Sequence, residues 1–398
     1  MKPKIRFSSS NILYEEKTLS EISTINPKTN VPLEFEYVDL ESVSGTEMTN
    51  HRTEHKATAP SRAQRLAKKG DIFYQTVRPY QKNNYYFDMD DDNYVFSTGY
   101  AQIRPSIYGK YLFTLLQNDS FLKQVLDNCA GTSFPAINPS VLSRLSVRIC
   151  KDKQEQQAIA SYFTSLDSQI SASTSRLTSL KQMKAASLQA MFPQEGETVP
   201  KIRFKGFEGE WKTCPLYHFA KKRIEKNTKM LYNITLTNSA EFGIIDQRNF
   251  FDHEISNSEN INGYYVVRDH DFVYNPRISS SAPVGPINQN KLGYTGVMSP
   301  LYLVFEINGI NRDFLEIFFH TTLWHKYMFD NGNTGARFDR LAISDEDFMK
   351  MPIPDIDFGE QQAIASYFTS LDRQISLQSQ RLEKLKQIKS ACLDKMFV

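Results

Sequence analysis

A chain of 398 residues with 40% hydrophobic and 12% aromatic content is too long for one ordinary core and sufficient for at least two. A net charge of +2 does not announce a nucleic-acid binder, and no apolar run approaches the ~20 residues a membrane helix needs. "MKPKIRFSSSN" carries no apolar stretch behind its charges, and the scattered Cys129, Cys150, Cys214 and Cys392 form no CxxC pair, so the reading is a cytoplasmic chain with reduced thiols and no structural zinc.

The first half opens with "PKIRF" (Pro3–Phe7) and "EKTLSEI" (Glu16–Ile22). Between Arg52 and Lys69 stand six Lys/Arg against the single acid Glu54, a solvated face or a phosphate-contacting edge. His51 and His55 would share a helix face, but without an HExxH frame they do not make a metal site. "GDIFYQTV" (Gly70–Val77) reads as a strand, "DMDDDN" (Asp88–Asn93) as a solvated turn, and "YLFTLLQN" (Tyr111–Asn118) as a helix. A glycine-containing loop from Gly131, "GTSFPAINPSVLSRLSVRI", then runs into an apolar strand.

Next comes "EQQAIASYFTSLD" (Glu155–Asp167), which returns without substitution at Glu360–Asp372. Across 155–192 and 360–397 the two copies agree at 26 of 38 positions. Ile159, Phe163, Leu166 and Ile170, like Ile364, Phe368, Leu371 and Ile375, alternate by four and three, the seam of a helix that pairs with another helix. Two such helices in one chain are expected to pair antiparallel. Pro193 and Gly196 end the first of them.

The second half repeats the plan. "PKIRF" recurs at Pro200–Phe204, "WKTCPLYHF" (Trp211–Phe219) echoes "EKTLSEI", and Lys221–Lys229 holds five Lys/Arg against Glu225. "HDFVYN" (His270–Asn275) and "SPLYLVFEI" (Ser299–Ile307) read as strands, and a loop from Thr334, "TGARFDRLAISDEDFMKMPIPDI", leads into the second long helix. The openers and closers are alike while the intervening blocks diverge, as in two reading heads of different specificity. A seam constrains only every third or fourth residue. The identity of Glu155, Gln156, Gln157, Ser161, Tyr162, Thr164, Ser165 and Asp167 with their second copies therefore asks for a further cause, and docking of two copies of one partner supplies it.

No GxxxxGK[ST] loop and no Asn/Asp-Pro-Pro-aromatic tetrapeptide occurs; "NPRI" (Asn275–Ile278) and "NPSV" (Asn138–Val141) lack the second proline and the aromatic residue. Pro354–Asp355 is followed by no [DE]xK at nuclease spacing. The chain reads as a non-catalytic binding module, and a coiled-coil scaffold that does not act on DNA is the other reading.

The two-half layout, "PKIRFKGFEGEWKTCPL" (Pro200–Leu216) and "MPIPDIDFGEQQAIASYFTSLDRQI" (Met351–Ile375) together resemble the specificity subunit of Type I restriction-modification systems, over the whole chain. The first copy lacks the "PIP" and the Trp. The resemblance implies an α+β fold in which two mixed α/β target recognition domains (1–152 and 194–357) are separated by two long antiparallel helices (153–193 and 358–398). These helices form an intramolecular coiled coil with a pseudo-twofold internal repeat. It implies binding of a bipartite, asymmetric site on double-stranded DNA, with the helices as spacer and as dock for two methyltransferase subunits through residues such as Gln157 and Gln362. Those subunits would bind S-adenosylmethionine and methylate adenine, and restriction subunits would use ATP to translocate and cut. This chain itself would hold no cofactor or metal.

Loop residues able to reach bases or phosphates in the first head are Arg62, Arg65, Lys68, Lys69, Arg78, Tyr80, Gln81, Lys82, Asn83, Thr132 and Ser133. In the second head they are Lys221, Lys222, Arg223, Asn275, Arg277, Ser279, Asn333, Thr334 and Arg337.

Overall fold

In the computed structural model, which describes residues 4–7, 14–249, 258–334 and 339–397, the start of each half pairs with the end of its own variable block. Glu15–Thr18 runs antiparallel to Ser146–Ile149, with Glu15 opposite Ile149. Lys212–Pro215 runs antiparallel to Pro352–Asp355, with Lys212 opposite Asp355. The chain divides into two units, Met1–Ser175 with Ser379–Val398, and Arg176–Gln378, so each long helix contributes to both.

In the first unit, "IFYQ" forms the strand Ile72–Gln75, whose alternate side chains enter different cores. Ile72 and Tyr74 join Leu112, Leu115 and Leu116 of the helix Gly109–Leu116. Phe73 joins Phe87, Phe96 and Tyr100, and its ring stacks on Phe96 at 3.6 Å between centroids. Ile72, Phe73 and Tyr74 are all buried for this reason, which explains a continuous apolar run in place of alternation. The strand lies in an antiparallel sheet with Ser23–Ile25, Tyr100–Pro105 and Tyr85–Tyr86. A second four-stranded sheet joins Arg52–His55, Glu34–Val38, Tyr94–Ser97 and Ala63–Leu66, with its middle pair parallel. The basic run from Arg52 thus contains two strands and no helix. His51 and His55 face Glu36 and Glu34 of the neighbouring strand at 2.7 and 3.4 Å.

The second unit has the same plan at its centre. Phe272–Tyr274 pairs with Leu303–Ile307 and Ile287–Gln289, and it too divides its side chains. Phe272 and Tyr274 pack with Phe314 and Phe318 of the helix Arg312–Phe319, and Val273 packs with Leu236 and Val304. The strand expected over Ser299–Ile307 starts only at Leu303, because Pro300 follows Ser299 and the Ser299 carbonyl closes a turn onto the amide of Tyr302.

The long helices span Lys153–Ala190 and Phe358–Met396. Asp152 and Asp357 cap them, accepting from the amides of Gln154 and Gly359, both at 2.8 Å. Within the first unit, Tyr162 meets Cys392, and Asp167 pairs with Lys389 at 2.5 Å. Within the second, Tyr367 bonds Ser187 at 2.8 Å, and Asp372 pairs with Lys184 at 2.5 Å. In both units the partner number falls as the residue number rises, so the helix segments run antiparallel. Ile159, Phe163, Leu166, Ile364, Phe368 and Leu371 are buried; Ile170 and Ile375 are half-buried. The Met-Phe that ends the first repeat packs in the second unit's core, and the Met-Phe that ends the second packs in the first unit's core. Phe397 packs on Tyr111 and Phe163, and Phe192 packs on Trp211 and Phe314.

Candidate nucleic-acid interface

Two loops meet at one edge of the first unit. The first follows Ile72–Gln75: Arg78 takes a left-handed φ of 53° directly before Pro79, Pro79–Gln81 makes a single 3₁₀ turn, and Lys82 is again left-handed at φ 54°. Two strained non-glycine residues in five persist only because the surroundings over-determine them. Buried Gln75 does so from beneath. Its Nε2 donates to Val77 O and Gln81 Oε1, both at 2.8 Å, and its Oε1 accepts from the Asn83 amide at 3.1 Å. The second loop is pinched shut by reciprocal backbone bonds between Ala130 and Ala136 at 2.9 Å. It is fastened to the first by Arg78 N–H to Pro135 O at 2.8 Å and Ile137 N–H to Thr76 O at 3.0 Å. Gly131, at φ 86°, is needed there, since a Cβ would meet the Phe134 carbonyl oxygen at 3.2 Å.

The second unit brings the corresponding loops together with different residues. Asn275 donates its side-chain amide to Asn238 O at 2.9 Å and accepts from Arg277 N–H at 3.0 Å. Gly285 lies so close that a Cβ would stand 2.1 Å from Asn275 O. The late loop is closed by reciprocal bonds between Asn333 and Ala342 at 2.8 Å and tied by Leu341 N–H to Pro276 O at 2.8 Å. Beside it a concavity of about 300 Å³ is lined by Lys222, Pro276, Tyr302 and Arg340, among others.

The predicted cations divide into two classes. Lys69 pairs with Asp90 at 2.6 Å, Lys82 with Asp119, and Lys222 with Asp345. Arg223 is turned inward, bidentate on Asp271 at 2.6 and 2.8 Å and bonded to Glu306 at 2.9 Å, so it is committed to the fold. Arg62, Lys68, Lys221 and Arg277 are exposed and without an acid partner, as is half-buried Arg78. Half-buried Arg65 has an Nε without a partner, and burial lowers its pKa. Tyr80, Gln81, Thr132, Ser133 and Ser279 are exposed, Asn83 and Thr334 half-buried, and Asn333 bridges to Ala342. Arg337 lies outside the described residues. Sequence reading missed Phe134, whose ring is 60% exposed and lies 4.3 Å from the Arg78 guanidinium.

The duplicated closer is also divided. Glu155 and Glu360, assigned from the sequence to an outward docking face, are buried instead. Arg6 of the first "PKIRF" holds Glu155 with both Nε, at 2.9 Å, and Nη2. Arg203 of the second holds Glu360 at 2.6 and 2.7 Å. Gln156 and Gln361 are buried too. Their Nε2 groups bond Cys150 O at 2.6 Å and Ile356 O at 2.9 Å, and their Oε1 atoms accept from the amides of Tyr108 and Asn311. A carboxylate this enclosed needs a bidentate cation, and each opener supplies it to its closer. Gln157, Ser161, Thr164 and Ser165 remain exposed, as do Gln362, Ser366, Thr369 and Ser370. Beside the clasps, Ile5 and Ile202 expose 41% and 59% of their surface. Among the described residues no helix is long and apolar enough to cross a membrane.

Residues 11–182 match the family model of the Type I restriction modification DNA specificity domain. The Type I restriction enzyme HindI specificity subunit of Haemophilus influenzae is 34% identical over 139 residues, 33% of this chain and 30% of that protein. The aligned stretch thus spans less than a third of that relative. Among solved structures, the Type-I restriction-modification system S subunit from M. genitalium aligns with a TM-score of 0.62 at 14% identity, covering 100% of this chain and 99% of that one. A chain from a study of complex assembly and conformational transition of the type I R-M system aligns at 0.55 and 19% identity, covering 97% and 98%. At these identities the likeness is one of fold.

Proposed function

We propose that this chain, whose residues 11–182 match the family model of the Type I restriction modification DNA specificity domain, is as a whole the non-catalytic specificity subunit of such a system. Residues 1–152 and 194–357 act as target recognition domains, each reading one half of a bipartite, asymmetric site on double-stranded DNA. The long helices form an antiparallel intramolecular coiled coil with a pseudo-twofold repeat that spaces the two domains. The observation that carries this reading is the recurrence, in both units, of two fastened loops bearing cations without acid partners, Arg78 in one and Arg277 in the other. Loops that are fastened alike and differ in side chains suit two half-sites of different sequence.

The exposed letters of the repeat, with Ile5 and Ile202, supply two like surfaces, and two like surfaces suit two copies of one partner. We assign that partner as a methyltransferase subunit that binds S-adenosylmethionine and methylates adenine. Restriction subunits that use ATP would join through it, in the cytoplasm. This chain's part is to hold the partners and to place them on DNA.

Co-purification of the chain with its methyltransferase subunit, followed by methylation of genomic DNA and sequencing of the modified bases, tests this. The expected result is a complex with two methyltransferases per chain and a two-part target, while the chain alone transfers no methyl group. Methylation without a defined target, or a one-part target, would overturn the reading.

A further inference from the structure

Among the described residues four cations lie over aromatic rings, and three of them are held by acids. Arg6 over Tyr14 is on Glu155, Arg52 over Tyr37 is on Asp39 and Glu54, and Lys110 over Tyr86 is on Asp88. Arg78 over Phe134 is the exception: no carboxylate meets its guanidinium. Its backbone is fixed in the left-handed region and its amide is bonded to Pro135 O at 2.8 Å, one residue beyond the ring it faces. Phe134 in turn sits at the tip of a loop closed by the Ala130–Ala136 bonds and keeps 60% of its surface in solvent. Tyr80, on the same turn, is 50% exposed. Neither the strained turn nor the exposed ring is needed to fill a core.

A guanidinium laid on an aromatic face has lost most of its rotational freedom while its N–H edge remains available. A planar, pre-oriented fork with no acid to satisfy it is complementary to two acceptors side by side. On duplex DNA that pattern is the O6/N7 edge of guanine in the major groove. A phosphate contact would need neither the ring nor the strain, since a lysine on a flexible stem serves it as well.

We propose that Arg78 reads a guanine in the half-site recognised by the first unit, and that Phe134 is its positioning residue. The inference rests on the specificity-subunit reading above. The second unit carries Arg277 at the corresponding loop, but among the described residues it lies over no aromatic ring, so the assignment is confined to the first half-site.

The test uses the full chain in complex with its methyltransferase subunits and a pool of duplexes with each half-site randomised in turn. Arg78→Lys and Arg78→Asn are compared with the unaltered chain; Asn tolerates the left-handed backbone, so that variant keeps the turn. Preference for guanine at one position of the first half-site should fall roughly ten- to a hundredfold in both. The second half-site should stay unchanged, which reports that the chain is folded. Phe134→Leu should relax the same position by a smaller factor, and Phe134→Tyr should retain it. Equal weakening on all sequences, with a shallower dependence on salt, would make Arg78 a phosphate contact and overturn the inference. A first half-site with no guanine that depends on Arg78 would do the same. Failure of the underlying reading looks different, because the unaltered complex would then select no sequence at all.

Discussion

In the first unit the arginine that neutralises the turn aspartate stands on the strand Tyr100–Pro105, whereas in the second it follows the strand Ala220–Lys222. The turns themselves are alike. Asp71 accepts from the Lys68 amide and Asp271 from the Arg268 amide, both at 2.8 Å. A left-handed residue precedes each aspartate, Gly70 at φ 94° and His270 at φ 68°. Arg104 grips Asp71 through two bonds of 2.7 Å, and Arg223 grips Asp271 at 2.6 and 2.8 Å. At these turns the two units share backbone geometry while the arginine comes from a different place in the chain. In the clasps, by contrast, Arg6–Glu155 and Arg203–Glu360 repeat residue for residue. The lesson is that a buried ion pair can be re-sourced where only the fold depends on it. It is copied where two duplicated segments must recognise each other.

The largest effect that bears on this contrast comes from the helices. Phe163→Ala and Phe368→Ala, each at a fully buried seam position, should cost about 3–5 kcal/mol. Urea denaturation followed unit by unit with local probes should place each loss in its own unit. If both fall in one unit, the two seams are not equivalent.

Glu155→Gln and Glu360→Gln should each cost about 3 kcal/mol, because the arginine is left without its counter-charge in an enclosed site. The two costs should agree closely in the same denaturation experiment. A markedly smaller value at Glu155 would break the symmetry of the clasps.

The turn offers a smaller and signed test. Gly70→His should destabilise by about 1 kcal/mol. The cause is the left-handed backbone and not a clash, since a Cβ there meets nothing nearer than the Tyr86 hydroxyl at 3.9 Å. His270→Gly should stabilise by about 0.5 kcal/mol, strain relief being partly offset by a freer unfolded chain. Thermal midpoints moving in the same direction for both would show that the turns are not interchangeable.

Least of all, Lys184→Gln and Lys389→Gln remove half-exposed pairs with Asp372 and Asp167. They should change stability by less than ~0.5 kcal/mol, and the change should vanish in 1 M salt.

How far this was legible in the sequence depends on the range of the interaction. The long helices and their seam are read from periodicity, and the strands Ile72–Gln75 and Phe272–Tyr274 from their β-branched and aromatic residues, since both signals are local. Glu155 and Glu360 were placed on the wrong side because a polar residue in a helical repeat is outward by default. Only the distant Arg6 and Arg203 reverse that. Arg223 sits beside Lys221 in the string and looks the same, yet Asp271 takes one inward and leaves the other in solvent. Phe134 is not legible in the sequence, because an isolated aromatic residue in a loop carries no signal without Arg78 across from it.

The amides of Lys4 and Ile5 both donate to the carbonyl oxygen of Lys395, at 2.8 and 3.1 Å, and Leu393, Met396 and Phe397 belong to the first unit's core. On the ribosome this reverses the usual order of events. Residues 1–175 emerge first, but their core lacks these side chains until roughly 200 further residues have been made. At about 5–20 residues per second that is a wait of about 10–40 s. The second unit is contiguous in the chain and meets no such delay. The half of the protein synthesised first is therefore the half that completes its folding last, and it is the one a chaperone would be called on to hold.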